Sequence, residues 1–436
     1  MPRSGLAEAQ VPRTSRSFRT PRLTPEHQSY ALFAIILFSA APLRQVGPWA
    51  ALWAAPAILI AAMVIAWGAE SAQYFIAQGF ALAILAWMQT LPEFAVEAVL
   101  AWKQQTPLLL ANLTGALRLL TGFGWPMIYA TAAIAHRRST GKPLKRIVLH
   151  QFHSVNVVGL LVPLLYMLWV WWKGYLDLVD SAVLILMYAA YLVILSRMPP
   201  EEEGEEELEN VPRAIVSMKR TARVVSIGAL FVAGGVLIYI SAEPFLGSLM
   251  AISTALGIPG FLFIQWVAPF VSEFPEMAST FYFARTVRGA PMALMNMVSS
   301  NINQWTLLSA MLPIILSISI GKASRIPFDD RQGLEILMTI GQSLVGMLFL
   351  INMELACWEA STLFGLFIVQ FALSAYPPGP SAIGYLAGHI HVWVTAAYFV
   401  WAGVELVRLI MGLRQPLAFV QFGDVWRHYV LRSHQL

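Results

Sequence analysis

Four glutamates stand in runs that are otherwise almost wholly apolar. Glu93 and Glu97 lie four residues apart in one run, and Glu273 and Glu276 lie three apart in another. Both spacings put the two carboxylates of a pair on one helix face. Each run also holds a proline directly before a glutamate, as Pro92-Glu93 and Pro275-Glu276. Proline inside a helix removes one hydrogen bond and frees the carbonyl four residues earlier, here those of Met88 and Val271. A freed carbonyl beside a carboxylate supplies the oxygen ligands that Na⁺ or Ca²⁺ takes, about 6–8 in the case of Ca²⁺. An ionised carboxylate at the centre of a bilayer costs about 2.5–3.5 kcal/mol on insertion scales. Four of them at that depth need counter-charge, which bound cations would provide. The alternative is that they are protonated, or paired to arginine, and only hold helices together.

The surrounding composition fixes what kind of chain positions them. Of 436 residues, 58% are apolar and only 12% charged, against a usual charged share of about 25%. So few charges cannot cover a water-soluble surface of this size. Mean hydropathy is +0.65, and the expectation is an all-α polytopic membrane protein whose solvent is the lipid bilayer. The net charge of +4 does not argue for nucleic acid, because the basic residues fall in short segments between apolar runs. A lone Cys357 excludes an intramolecular disulfide and a cysteine-built metal site.

Runs long enough to span fall near 48–68, 78–102, 105–135, 152–172, 176–196, 224–241, 258–284, 290–320, 334–352, 356–376 and 384–411, with a marginal one at 29–43. The reading is about twelve spans: two five-helix halves and one extra helix at each end. In domain terms, a basic tail (1–28) precedes an N-terminal half (29–196) and a charged linker (197–223). A C-terminal half (224–376), an extra helix (377–411) and a tail (412–436) follow. Lys and Arg collect in the N-terminal tail, in 136–151, in 197–223 and in the C-terminal tail. With twelve spans all four lie on one side, which predicts cytoplasmic termini in a plasma (inner) membrane. The basic tail and first apolar run could also be read as a secretory signal, but their Pro, Ser and Arg content fits a disordered arm. The run EEEGEEELE at 201–209 reads as a solvated hinge between the halves.

Two segments repeat one another. GAESAQYF with MQTLPEFAVEAVL and ANLTGALRLL occupies 68–120; SAEPFLGS with VSEFPEMAST and MNMVSSNINQW occupies 241–305. Each has Ala-Glu at an expected helix end (Glu70, Glu243), then Pro-Glu, then an asparagine (Asn112, Asn296) 19 or 20 residues beyond the glutamate. Five spans separate the copies, so they enter the membrane from opposite sides. Inverted repeats with broken helices characterise many secondary transporters, with the site at the midplane.

These residues resemble the two alpha-repeats of the sodium/calcium exchanger (cation/calcium antiporter) superfamily. Its pattern is roughly G-T-S-L-P-E, followed in the next helix by G-N-x-x-G-S-N-x-x-N or D. The match covers repeats at 68–135 and 241–320. In the second, Ser272, Glu276, Asn296, Ser300 and Asn301 fall on the pattern, Gln304 takes the final polar place, and Glu273 replaces a serine. In the first, Gln89, Thr90, Glu93 and Asn112 fall on it, but Ala116, Leu117 and Leu120 stand at polar positions, and Arg118 follows at once. The resemblance implies a secondary cation antiporter working by alternating access. Glu93 and Glu276 would be its principal metal ligands; Thr90, Ser272, Asn112, Asn296, Ser300 and Asn301 would add neutral oxygens. Glu97 and Glu273 would be accessory carboxylates. Arg118 would be a fixed counter-charge, taking the place of one transported cation and leaving a local sum of −3; otherwise it has abolished transport.

No cofactor is expected, since Ca²⁺, Na⁺ or H⁺ would be substrates. A cation/proton exchanger and a non-transporting scaffold or subunit that keeps the fold are the alternatives. No H-E-x-x-H, G-x-S-x-G or phosphate-loop motif is present, so an enzyme is not expected. His389 and His391 are two apart and so do not share a helix face; His150 and His153 read as an interfacial cap.

Overall fold

The computed structural model describes residues 47–73, 90–198, 210–286 and 289–431. The first half comprises α1 (Ala51–Gln73), α2 (Leu91–Trp102), α3 (Thr106–Leu119), α4 (Trp125–Thr140), α5 (Ser154–Lys173) and α6 (Leu178–Ser196). A short α7 (Asn210–Val216) lies in the linker. The second half comprises α8 (Arg220–Leu256), α9 (Gly260–Ser272), α10 (Phe274–Phe283), α11 (Ala290–Asn303), α12 (Ser309–Ile320), α13 (Asp330–Leu350) and α14 (Cys357–Ser374). The chain closes with α15 (Ala382–Ile410) and α16 (Leu417–Val425). This is an all-α polytopic membrane protein. Its outward faces are apolar, with Tyr239 and Ile410 over four-fifths exposed, and a helix that is apolar all round belongs in lipid.

Among the described residues, eight helical segments are long and apolar enough to span. The four other expected spans differ for identifiable reasons. The run at 29–43 lies outside the described residues, as does the first part of 78–102, leaving α2. The run at 105–135 is continuous helix from α3 through α4 but carries Asn112, Thr114 and Arg118. The run at 258–284 is broken at Glu273 into α9 and α10. One boundary is corrected outright: Glu243 is not at a helix end but inside the 37-residue α8.

Proline and glycine set the helix ends. Pro92, Pro107 and Pro291 sit in the first turns of α2, α3 and α11, where no intrahelical N–H is needed. Gly141, Gly174, Gly257 and Gly321 adopt left-handed φ of 65–81° just past α4, α5, α8 and α12, closing the last turns as a side-chain-bearing residue would do only with strain.

The repeat seen in sequence is kept in detail by the fold. A π-turn begins eight residues after Asn112 (Leu120–Gly124) and eight after Asn296 (Gln304–Leu308). Each π-turn joins two helices into one continuous rod, α3–α4 and α11–α12. Single-turn π segments inside helices occur most often at functional sites. Two antiparallel ribbons also obey the repeat. β1 (Arg146–Val148) pairs with β4 (Glu354–Ala356), and β2 (Tyr175–Leu176) pairs with β3 (Ile326–Pro327). Each joins one half of the chain to the other, and α5 separates them by about 30 Å at 1.5 Å per residue.

Candidate cation site

In each half a first helical turn delivers carboxylates. Thr90 precedes α2, whose first turn holds Glu93 and whose second holds Glu97. Ser272 closes α9, Glu273 occupies the break, and Glu276 lies in the first turn of α10. Helix N-termini carry a partial positive charge, which favours carboxylates there. All four carboxylates are at most 2% exposed. They are mutual neighbours: Glu93 feels the charges of Glu273, Glu97 and Glu276. Among the described residues, Glu93, Glu97 and Glu273 form no ion pair with a basic side chain.

Side-chain amides occupy the space between them. The Gln304 Nε2 group donates to Glu93 Oε2 at 2.7 Å and to Glu273 Oε1 at 2.8 Å, bridging the halves. Asn112 Nδ2 donates to Glu97 Oε1 at 3.3 Å. Asn303 Nδ2 donates to Thr90 Oγ1 at 2.5 Å, and Asn301 Nδ2 to Thr121 Oγ1 at 2.7 Å. Every one of these four amides spends its nitrogen and keeps its oxygen. Asn112 Oδ1, Asn301 Oδ1, Asn303 Oδ1 and Gln304 Oε1 are buried without a hydrogen-bond donor, as are Glu93 Oε1 and Glu97 Oε2. Six such oxygens in one region are costly in hydrocarbon unless something positive meets them. No group of three or more acidic, His or Cys side chains among the described residues is gathered tightly enough to hold a metal alone. Any cation here would therefore take a mixed set of carboxylate and amide oxygens.

Most of the residues singled out in sequence meet in this region. Ser300 lies beside the Glu276 carboxyl. Ser272 Oγ donates back to Ala268 O and Pro269 O of its own helix at 3.2 and 3.4 Å. Asn296 is only partly buried, unlike its repeat mate Asn112. Met88 and Gln89 lie outside the described residues. The sequence reading did not single out Asn303 or Thr121, and it gave Gln304 no role. The signal available for Gln304 was its family position; its mate in the first repeat is the apolar Leu120.

Arg118 is a correction. It does not stand as the counter-charge of these glutamates, because its guanidinium is committed elsewhere. Arg118 Nη1 lies 2.5 Å from Glu335 Oε2 on α13, with both side chains at most 2% exposed. Its Nε donates to Thr114 O at 3.1 Å, and the group stacks 5.1 Å from the centre of the Trp266 ring. Six residues on a helix turn a side chain to a different face, so Asn112 can serve the glutamates while Arg118 reaches α13. A tight approach of α3 to α9 frames this arrangement. Pro269 frees the Gln265 carbonyl, and a Cβ at Gly115 would overlap that oxygen.

The family described as sodium/calcium exchanger protein matches residues 46–197 and 226–376. The chain belongs to that family. A solved structure described as the H⁺/Ca²⁺ exchanger CAX shares 31% identity, with a TM-score of 0.75 over 92% of this chain and 98% of that one. The sodium-calcium exchanger NCX_Mj, soaked with 10 mM Na⁺ and zero Ca²⁺, shares 20% identity, with a TM-score of 0.49 over 78% of this chain and 99% of that one. No curated protein matches.

Proposed function

We propose that the protein is a secondary antiporter that exchanges Ca²⁺ for protons at the buried glutamates. The observation that carries this reading is the set of donorless oxygens on Glu93, Glu97, Asn112, Asn301, Asn303 and Gln304. Hard cations select such oxygens. Glu93 and Glu276 act as principal ligands, with Glu97 and Glu273 as accessory carboxylates. Thr90, Ser272, Asn112, Asn296, Ser300 and Asn301 add neutral oxygens. When the cation leaves, several carboxylates remain crowded and buried, and each needs a positive charge or a proton. Sodium would require its own cage of oxygens, whereas a proton needs only a carboxylate lone pair. The first repeat has Ala116, Leu117 and Leu120 at three positions where oxygen ligands are expected. That loss favours the proton as counter-substrate, in line with the likeness to an H⁺/Ca²⁺ exchanger.

Alternating access follows from the pseudo-two-fold, which lets the two repeats expose the same glutamates first to one side and then to the other. Both termini would face the cytoplasm from a plasma membrane, as the basic segments direct. The test is uptake of calcium-45 by proteoliposomes under imposed pH and sodium gradients. Uptake driven by the pH gradient alone is expected. Uptake driven only by sodium would reassign the counter-ion, and no uptake under either gradient would sink the transporter reading.

A further inference from the structure

We propose that Glu335 and His391 form a proton-binding centre, separate from the glutamate site, that controls exchange through helix α3. Four helices bring its members together: Arg118 from α3, Gln265 from α9, Glu335 from α13 and His391 from α15. Glu335 Oε2 is saturated, taking Arg118 Nη1 at 2.5 Å and Gln265 Nε2 at 2.9 Å. Glu335 Oε1 is not. It faces His391 Nδ1 at 3.4 Å, within reach of an ion pair but without the alignment of a hydrogen bond. His391 Nε2, Arg118 Nη2 and Gln265 Oε1 are also buried without hydrogen-bond partners. A pair kept only to tie α3 to α13 would need neither the histidine nor this unfilled capacity.

Charge counting shows what a proton would do. With His391 neutral, Arg118 and Glu335 cancel. A proton on His391 makes an imidazolium beside Glu335 Oε1, and the carboxylate must then serve two cations. The cluster gains a net positive charge in surroundings that do not screen it. Histidine is the side chain whose charge changes near neutral pH, and at 18% exposure His391 is the open edge of an otherwise sealed group. The other charged and titratable groups facing it are few. Arg331, one turn before Glu335, is close enough to act on both members and lies over Phe261 of α9. Tyr398, two turns along α15, brings a phenol that feels Arg118. On α14, also packed against α15, Glu359 is held by Arg414.

Arg118 is the member with somewhere else to go. It already rests on Trp266 and on the Thr114 carbonyl of its own helix. Shared ownership of Glu335 therefore loosens the tie between α3 and α13, and α3 is the helix that holds Asn112 against Glu97. Protonation of His391 thus weakens the hold of the cation site and slows exchange at low pH. This control half rests on the proposed exchange activity; the proton-binding half does not.

The experiment uses the full-length protein in nanodiscs with ¹⁵N-labelled histidine, the His391 signal being assigned by its loss in H391Q. A single titration step between about pH 5 and pH 8 is expected. In E335Q it should move to lower pH by about one unit, because the imidazolium loses its carboxylate. A His391 signal that does not titrate in this range, or that titrates identically in E335Q, overturns the proton centre. Calcium-45 uptake against pH then tests control. H391Q should keep its maximal rate within about twofold, with its acid limb moved to lower pH by about half a unit or more. H391R, carrying a permanent charge, should be slow at every pH while eluting as a folded protein. An unmoved acid limb in H391Q together with normal rates in H391R overturns the control role. If wild type carries no calcium under any gradient, the exchange reading and the control half fall together. The histidine titration then still decides the proton centre.

Discussion

Two buried charged clusters share helix α3 and differ in one respect. Around Glu93, Glu97 and Glu273 the carboxylates find amide donors but no basic side chain among the described residues. Around Glu335 the carboxylate finds Arg118 at 2.5 Å. The glutamates, Arg118 and Glu335 are each at most 2% exposed, and both clusters sit among apolar helices. The first leaves the neutralising charge to come from outside the chain, and the second builds it in. A mobile cation belongs where the chain withholds its own. The pseudo-two-fold sharpens the point, because the repeat mate of Arg118 is Ile302, a buried apolar residue on α11. Arg118 has no charged mate in the other repeat, so the pair it makes with Glu335 across the two halves stands outside the repeated machinery.

The largest expected effects break the first cluster. Glu93→Gln and Glu276→Gln should each reduce calcium-45 exchange by about a hundredfold or more while the protein still elutes as a monodisperse species. Near-normal exchange in either variant would remove the glutamate site from the mechanism. In the second cluster the expected loss is of stability. Arg118→Met leaves Glu335 buried without its cation, a kind of change that costs about 3–5 kcal/mol. The double variant Arg118→Met with Glu335→Leu should recover most of that loss, since replacing both partners of a buried pair is often neutral. Thermal unfolding of purified protein compares the three. A double variant no better than the single would show that Arg118 matters for something other than Glu335.

The sequence made one of these clusters far more legible than the other. Pro-Glu recurring before a spaced asparagine located Glu93, Glu276 and Asn112, because that chemistry is local and repeated. The repeat pointed to broken helices without placing the break at Glu273. It could not assign Arg118, whose partner lies on a helix remote in sequence. Glu335 escaped notice because the apolar run begins at residue 334, which made it look like a boundary residue. Asp329 accepts from the backbone N–H of Gln332 and starts α13 at Asp330, so Glu335 lies a full turn inside the buried helix. A cap signal read before the apolar run would have placed it there. His391 was weighed only against its sequence neighbour His389, which instead faces Tyr385 O of its own helix at 2.9 Å.

Smaller effects should separate carboxylates from neutral oxygens within the glutamate site. Thr90→Val removes the hydroxyl that accepts from Asn303 Nδ2. Loss of one buried neutral hydrogen bond costs about 1–1.5 kcal/mol, so a roughly tenfold fall in apparent calcium affinity is expected. Asn303→Leu with Thr90→Val should cost more affinity than Thr90→Val alone, because it also removes the Asn303 Oδ1 that the site offers to a cation. An effect of Thr90→Val as large as that of Glu93→Gln would mean that Thr90 is a principal ligand, and the division between charged and neutral ligands would fail.

The smallest effect is expected at an exposed ion pair, which shows what burial contributes. Lys103 Nζ lies 2.6 Å from Glu243 Oε1, joining the end of α2 to the middle of α8, about as close as Arg118 is to Glu335. Distance alone would rank the two pairs together. But Lys103 and Glu243 are 43% and 58% exposed and stand just past the apolar runs 78–102 and 224–241, where the chain is expected to leave the hydrocarbon, so losing the partner buries neither charge. An exposed pair of this kind contributes about 0–1 kcal/mol. Lys103→Ala should leave the thermal midpoint within about 2 °C of wild type, a small fraction of the loss in Arg118→Met. If the two substitutions cost the same, burial is not what separates these ion pairs. The contrast between charge supplied by the chain and charge left to a mobile cation would then need another physical basis.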